Sequence, residues 1–192
     1  MQDEAGAPLT AAEPTPSTPA PVPTGGRRRL YAVLLGLAAG VLVLDQASKV
    51  WALDALTPGE PVDVVGSLIR LNLIRNPGAA FSIGDDSTWI LTAISLAILV
   101  WVVIGARKVA NVPWAVALGL LLGGALGNLA DRFFRPPGPG RGHVVDFIDY
   151  FGLFIGNVAD IAIVVAAGLI MVLTYRGTSI GGPVHHPEHA DD

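Results

Sequence analysis

Four apolar stretches, each close to the length that crosses a membrane, constrain this chain more than any other feature. They are Leu30–Ala52, Trp89–Ala106, Val112–Phe133 and Val158–Tyr175. A hydrocarbon core about 30 Å thick requires about 20 helical residues, and tilt or local thinning absorbs a small shortfall. Because 52% of the residues are hydrophobic and only 15% are charged, a bilayer is the expected solvent. We predict an all-α membrane protein whose core is a four-transmembrane-helix bundle.

The segments on either side of this bundle have compositions that do not support a packed core. Residues 1–29 are rich in Pro, Ala and Thr, and we predict a disordered cytoplasmic tail there. Residues 30–176 form the predicted membrane domain, and residues 177–192 form a second flexible cytoplasmic tail. The arginine-rich start of the first span mimics a secretory signal peptide, but Asp45 and Lys49 end it without a clean cleavage site.

Residues 53–87, between the first two spans, contain a pattern that is not transmembrane. Leu71 and Leu73 alternate with polar neighbours, and an Asn-Pro-Gly turn follows at 76–78. Alternation of this kind, ended by turn residues, is typical of a short strand with one buried face. We therefore predict a small extracytoplasmic β segment at the membrane surface.

Glycines recur every four residues on the third predicted span, at Gly119, Gly123 and Gly127. Small residues at this spacing form a stripe on one side of a helix, where a second helix backbone can approach closely. The stripe predicts helix packing and indicates no chemistry of its own.

Several function classes are disfavoured by the composition. The chain has no cysteine, which excludes disulfides, thiolate metal sites and cysteine nucleophiles. The net charge of -4, spread along the chain, gives no indication of a nucleic-acid partner. A serine protease is not expected, because His143 is the only histidine before the C-terminal tail and the last two spans contain no serine. The tail histidines His185, His186 and His189 are interpreted as residues of a flexible segment, and no metal or cofactor is predicted.

Polar residues gather where alternating spans must share one membrane face: at the ends of the first and third spans and at the start of the fourth. These residues are Asp45, Lys49, Asn128, Asp131, Arg132, Asn157 and Asp160. The loop before the fourth span adds His143, Asp146 and Asp149. Ionisable residues at membrane depth are costly and are usually functional. An ordinary alternative is that Asp45 with Lys49, and Asp131 with Arg132, form ion pairs that fix the helix ends at the headgroups.

Asp146 and Asp160 differ from the other carboxylates because neither has a Lys or Arg within four residues. Apolar and aromatic neighbours would favour the neutral form of Asp146, whereas the helix dipole would favour ionised Asp160. Two such groups can share a proton, one acting as general base toward water while the other polarises a carbonyl. From spacing alone, Asp131 or Asp149 could equally be the partner, and Asp160 could simply cap its helix.

The positive charges do not differ in number between the two predicted sides of the membrane. The triple arginine at 27–29 and the Arg107–Lys108 pair in a very short loop nevertheless lie beside span ends, where charges weigh most. We therefore expect both termini to be cytoplasmic and the polar cluster to lie toward the extracytoplasmic face.

Five sequence blocks, in order and at suitable intervals, carry a family resemblance. They are LDQASKVWA at 44–52, NLIRNPGAAFSI at 72–83, GGALGNLADRF at 123–133, GHVVDFIDYF at 142–151 and FIGNVADIAI at 154–163. Over about residues 30–175 the chain resembles the lipoprotein signal peptidases, also called signal peptidase II, prolipoprotein signal peptidase or peptidase family A8. The agreement of five separate blocks makes this resemblance specific.

The resemblance implies an intramembrane aspartic endopeptidase with Asp146 and Asp160 as its catalytic dyad. It implies supporting roles for Asp45, Lys49, Asn76, Asn128, Asp131, Arg132 and Asn157. The implied substrate is a diacylglyceryl-modified prolipoprotein, cleaved immediately before the lipidated cysteine, and the implied inhibitor is globomycin. The implied setting is a bacterial cytoplasmic membrane, where the enzyme works among membrane lipids. We expect a monomer, and no metal or cofactor is required if the dyad supplies both acid and base.

The family fold implied by the resemblance is a four-helix bundle with a small β-cradle, here around residues 62–76, and a surface helix. Two departures are visible: the Pro-rich N-terminal extension lies outside the pattern, and the stretch between Asp146 and Asp160 is short. The main alternative is a small proton-coupled transporter that uses the same carboxylates as a relay. Transporter sites usually lie near the bilayer midplane within repeated halves, whereas these carboxylates gather at one rim. A purely structural subunit is a third possibility.

Overall fold

A computed structural model describes residues 24–78 and 88–181. The helices are α1 (Thr24–Ala55), α2 (Thr88–Ala106), α3 (Val112–Phe134) and α4 (Val158–Tyr175). All four are long and apolar enough to cross a membrane, with mean hydropathy between 1.6 and 2.4. The prediction of a four-helix membrane bundle is therefore confirmed.

The first helix is longer than predicted, whereas the other three agree with the prediction to within one residue. It begins at Thr24, so residues 24–29 are helical and do not form part of a tail. Arginine is a good helix former, and the triple arginine extends α1 toward its N-terminus. Residues 1–23, the rest of that predicted tail, lie outside the described residues.

The segment directly after α4 packs against the loop between α2 and α3. Trp114 Nε1 donates to the carbonyl oxygen of Thr178 at 2.8 Å, and Asn111 Nδ2 donates to that of Ser179 at 3.0 Å. The main-chain N–H of Ala110 donates to the carbonyl oxygen of Ile180 at 2.9 Å. The first residues of the predicted C-terminal tail are thus attached to the bundle, while residues 182–192 lie outside the described part of the chain.

Helix α3 contacts all three other helices, and glycines allow the closest approaches. A Cβ atom at Gly119 would lie 2.7 Å from the carbonyl oxygen of Leu34, and one at Gly123 would lie 2.7 Å from that of Ala38. On the α4 side, a Cβ at Gly124 would lie 2.6 Å from the carbonyl oxygen of Ala159. The glycine stripe therefore packs α1 against α3, as predicted.

An antiparallel sheet lies at the end of the bundle where α1 ends. Its strands are β1 (Val62–Val65), β2 (Ile69–Asn76), β3 (Val144–Tyr150) and β4 (Phe154–Gly156), hydrogen-bonded in that order. The first two strands lie in the predicted β segment. The other two strands replace a predicted loop before α4. The sequence pattern does not reveal β3, because this strand is buried along most of its length and shows no clean alternation.

The sheet is joined to the bundle by a small apolar core. Leu73 of β2, with Val145 and Phe147 of β3, packs against Ala52 near the end of α1. The rings of Trp51 and Phe147 meet edge to face with centroids 6.2 Å apart. Within residues 24–78 and 88–181 there is no helix besides the four spans, so the implied surface helix has no counterpart there. The sheet places the middle of β3 beside the ends of α1 and α3.

Candidate active site

A polar cavity of about 230 Å³ lies where the sheet meets the ends of α3 and α4. Its polar lining comes from five different elements and includes both members of the predicted dyad. These polar residues are Asn76, Ser95, Asn128, Arg132, Asp146 and Asp160. Apolar side chains, including Leu91, Ile94 and Phe154, form the rest of the wall. The fold therefore places charged and apolar surfaces around one small space.

Asp146 lies in the middle of β3, opposite Ile74 of β2, and is 2% exposed. Its Oδ2 accepts a hydrogen bond from Asn76 Nδ2 at 2.8 Å, and its Oδ1 accepts one from Asn157 Nδ2 at 2.6 Å. Burial raises the pKa of Asp146 from its ordinary 3.8 to about 7, with Asp160 adding to the rise and the two amides opposing it. The neutral form expected from its apolar neighbours is therefore accessible near neutral pH.

Asp160 lies in the first turn of α4 and forms a capping box with Asn157. Asn157 Oδ1 accepts from the main-chain N–H of Asp160 at 3.0 Å, and Asp160 Oδ2 accepts from that of Asn157 at 3.1 Å. The second carboxylate oxygen, Oδ1, accepts from Asn128 Nδ2 at 2.8 Å. Asp160 does cap its helix, as the alternative interpretation held, and it also lines the cavity.

Three asparagines hold the two carboxyl groups, and two of the amides, those of Asn76 and Asn128, have their direction set from outside the pair. Asn76 Oδ1 accepts from the N–H of Gly78 at 2.8 Å, which turns Nδ2 toward Asp146. Asn128 Oδ1 accepts from Lys49 Nζ at 3.1 Å and from Asn157 Nδ2 at 3.2 Å, which turns its own Nδ2 toward Asp160. Since Asn157 contacts both carboxyl groups, it joins them into one network.

Lys49 stands at the centre of a buried ion cluster beside this network. Its Nζ lies 2.8 Å from Asp45 Oδ2 and 2.8 Å from Asp131 Oδ2, and all three side chains are 0% exposed. Asp131 also pairs with Arg135. The interpretation of Asp45 and Lys49 as an ordinary pair at the rim is wrong in its position, because the pair is fully enclosed by protein.

The ion pair between Asp131 and Arg132 that the ordinary alternative assumed does not form. Consecutive residues on a helix point in different directions, whereas residues four apart share a face, and Asp131 therefore meets Arg135. Arg132 Nη1 donates to the carbonyl oxygens of Pro77 and Gly142, each at 3.2 Å. Arg132 thus ties the turn after β2 to the segment that leads into β3.

The two alternative partners for the dyad, Asp131 and Asp149, are each paired with a cation. Asp131 contacts Lys49 and Arg135. Asp149 Oδ2 lies 2.7 Å from Arg70 Nη2, and its Oδ1 accepts from the N–H of Gly152 at 2.8 Å. Among the described residues no salt bridge reaches Asp146 or Asp160. Of the five aspartates gathered here, Asp146 and Asp160 are the two without a salt bridge to a described residue.

Sequence reasoning missed Gln46 and Arg135. Gln46 Nε2 donates to Asp45 Oδ2 and to the carbonyl oxygen of Gly127, both at 3.1 Å. No sequence signal distinguishes Gln46, but the spacing of four between Asp131 and Arg135 could have indicated that pair. His143 contributes its main-chain N–H to Pro136, in agreement with a loop role. The tail histidines lie outside the described residues.

Comparison with known proteins gives matches over most of the chain. The family model described as signal peptidase (SPase) II matches residues 37–176. A lipoprotein signal peptidase of Mycolicibacterium smegmatis is 45% identical over 179 residues, covering 92% of this chain and 74% of the relative. One of Streptomyces coelicolor is 48% identical over 168 residues, covering 86% of this chain and 81% of the relative.

A solved structure supports the same assignment. It is a bacterial membrane enzyme determined by the in meso method at 1.9 Å resolution, 30% identical to this chain with a TM-score of 0.66. The alignment covers 77% of this chain and 95% of that structure. Every residue of the hydrogen-bond network around Asp146 and Asp160 lies within residues 37–176, the range that the family model matches. The chain therefore belongs to the signal peptidase II family, the lipoprotein signal peptidases of bacterial membranes.

Proposed function

We propose that the chain is an intramembrane aspartic endopeptidase with Asp146 and Asp160 as its catalytic dyad. It cleaves diacylglyceryl-modified prolipoproteins immediately before the lipidated cysteine and works as a monomer without a metal or cofactor. The single observation that carries the proposal is the pair itself: a buried and a half-buried carboxyl group, neither in a salt bridge with a described residue, line one cavity and share Asn157.

The chemistry requires the dyad to hold one proton. The ionised carboxylate takes a proton from a water molecule as its oxygen attacks the scissile carbonyl carbon, and the neutral carboxyl gives its proton to the carbonyl oxygen. In the second step the carboxyl that received the water proton gives it to the leaving nitrogen. The C–N bond breaks, and the other carboxyl recovers its proton. Because the two groups are coupled, the proton belongs to the pair.

The surroundings of the dyad suit a substrate anchored in lipid. The cavity lies beside the last turns of α3 and the first turn of α4, and therefore near headgroup depth, where water can enter without a dedicated channel. Leu91, Ile94 and Phe154 supply an apolar wall for the signal-peptide side chains. The arginine-rich start of α1 belongs on the cytoplasmic side, which directs the dyad toward the extracytoplasmic face and leaves both termini cytoplasmic.

The proton-coupled transporter has less support. Transporter sites usually lie near the bilayer midplane on broken helices, whereas here the carboxyl groups lie at helix ends and on a strand. We therefore retain only the peptidase as the proposed function.

The test is a gel-shift cleavage assay on diacylglyceryl prolipoprotein in detergent micelles. We expect Asp146→Asn and Asp160→Asn each to lose at least about a hundredfold in rate, because acid–base catalysis of this kind contributes about 10²- to 10⁴-fold. Asp63→Asn, which changes an exposed carboxylate on β1 of the same sheet, is the matched control and should cleave at the parent rate.

Far-UV circular dichroism and thermal unfolding establish that the variants are equally folded. If either dyad variant cleaves at a near-parent rate, that aspartate is structural. Asp131→Asn and Asp149→Asn would then identify the true partner.

A further inference from the structure

A second cavity, of about 520 Å³, lies at the end of the bundle opposite the dyad. It is open to the surface and is lined by the first turns of α1, the residues after α2 and the start of α3. The dyad lies at the other end of these helices, so the two cavities belong to opposite membrane surfaces. Nothing in the proposed reaction requires the second cavity.

Four cations line this cavity, and no carboxylate does: Arg27, Arg29, Arg107 and Lys108. Among the described residues, none of the four takes part in a salt bridge. Arg27 Nη2 donates to the main-chain oxygen of Arg107 at 2.6 Å, which holds the two cationic segments together. Like charges gathered in this way repel one another, and an anion between them would remove that cost.

The helix dipole adds to the excess of positive charge at this cavity. Arg27 and Arg29 lie near the start of α1, which has no acidic residue in its first turn. The N-terminal end of a helix carries partial positive charge and favours anions over cations. An anion in the cavity would therefore interact favourably with both the side chains and the helix end.

Apart from Asn111, the remaining wall is apolar, with contributions from Leu30, Val109 and Val112. Since α1 and α3 are membrane spans, this wall faces the outer part of the hydrocarbon core while the cations lie at headgroup depth. Basic cavities between spans with this combination suit a phosphate that carries acyl chains. We propose that the cavity binds the headgroup phosphate of an anionic phospholipid, with its acyl chains against Leu30 and Val112.

The experiment measures lipid binding to the full-length protein in detergent, without substrate, so its outcome is independent of the proposed peptidase activity. Native mass spectrometry gives the apparent Kd for phosphatidylglycerol and for phosphatidylcholine. The test variant Arg29→Gln/Lys108→Gln removes two cavity cations and keeps the bond between Arg27 and Arg107. The matched control Arg28→Gln/Arg176→Gln removes two exposed cations at the same membrane end that do not line the cavity.

We expect the parent to bind phosphatidylglycerol about tenfold more tightly than phosphatidylcholine. The test variant should lose about tenfold or more in phosphatidylglycerol affinity, and the control should stay within about twofold of the parent. Added NaCl should reduce the preference of the parent itself, a measurement that needs no variant. Equal losses in both variants, absence of a lipid preference, or displacement of the lipid by an equal concentration of glycerol 3-phosphate would each overturn the proposal.

Discussion

Around the proposed dyad, the direction of two asparagine amides is set by groups outside the pair. Asn76 is oriented by the turn at Gly78, and Asn128 is oriented by Lys49. An amide that donates to a carboxylate stabilises its charged form. Two such amides reach Asp146, yet its pKa remains near 7 because burial outweighs them. The asparagines thus tune the dyad and also position it.

The pH dependence of cleavage should report this balance. Below about pH 7 the Asp146 carboxyl is protonated, and above it the carboxyl ionises. Because the dyad needs one proton, kcat/KM should fall as pH rises through about 7, and also at acid pH as the second carboxyl becomes protonated. Initial rates in micelles between pH 5 and 9 measure both the acid and the alkaline fall in kcat/KM.

Removing one amide donor should shift the alkaline limb of the pH profile, which is the fall in kcat/KM above about pH 7, in a defined direction. Asn76→Ala deletes a donor to Asp146, so the pKa of Asp146 should rise further and the limb should shift to higher pH. Asn72→Ala, on the same strand, is the control and should leave the profile in place. A limb that moved to lower pH in Asn76→Ala would contradict this account of the dyad.

Site residues differed in how far the sequence alone could identify them. Asp146 and Asp160 stood out because no Lys or Arg lies within four residues of either, and the structure gives neither a salt bridge with any described residue. The contacts of Asn76 with Asp146 could not be derived locally, because 70 residues separate the two. The family resemblance supplied Asn76 as a supporting residue where spacing could not.

Among the elements, α3 approaches its neighbours closely only because glycine carries a hydrogen atom where any other residue carries a Cβ. At Gly123 an added Cβ would meet the carbonyl oxygen of Ala38 and the Cβ of Val41, both at 2.7 Å. At Gly127 it would meet Asp45 Oδ2 at 2.5 Å. Along the glycine stripe, Gly123 therefore allows α1 to pack against α3, and Gly127 leaves space for the Asp45 carboxylate of the buried ion cluster.

We expect Gly123→Ala to lower the free energy of unfolding by about 1–3 kcal/mol, since α1 must move away to admit the methyl group. Gly168→Ala on α4 is the matched control, because a Cβ there meets nothing within 4 Å. The control should be neutral or stabilising by up to about 1 kcal/mol, since alanine favours a helix. Unfolding titrations in mixed micelles give both values, and equal losses would show that close approach is not the cause.

The spans were predictable as elements because each is a long local pattern, and α4 matches its predicted bounds of Val158–Tyr175. Strand β3 was not predictable in the same way, because it pairs with β2, which is distant in the chain. Its burial on both faces also removes the alternation by which strands are recognised. Local patterns thus described the bundle better than the sheet.

At the scale of the whole molecule, the Lys49 cluster connects three spans to the sheet. Lys49 and Asp45 belong to α1, Asp131 belongs to α3, and Asp45 Oδ1 accepts from the N–H of Ala159 in α4 at 2.9 Å. Asp131 Oδ2 also accepts from the N–H of Val145 in β3 at 3.1 Å. One buried cation therefore lies where the main parts of the fold meet.

Lys49→Met keeps an apolar stem of similar length but leaves buried carboxylates without their shared cation. We expect a loss of about 3 kcal/mol in the free energy of unfolding, measured by the same micelle titration. The double variant Lys49→Met/Asp45→Asn should recover part of the loss, because it removes one uncompensated charge. Lys108→Met, an exposed lysine outside the cluster, should change little, and a loss there as large as in Lys49→Met would contradict the explanation.

The unbroken α1 helix also acts as a ruler between the two membrane surfaces. Arg27 and Asp45 lie on this one helix, and at 1.5 Å per residue the rise between them is about 27 Å. That distance is close to the roughly 30 Å of a hydrocarbon core. If the basic start of α1 lies among the headgroups of one leaflet, Asp45 lies near the headgroups of the other leaflet. The depth of the proposed catalytic site is thus matched to a limited range of bilayer thickness.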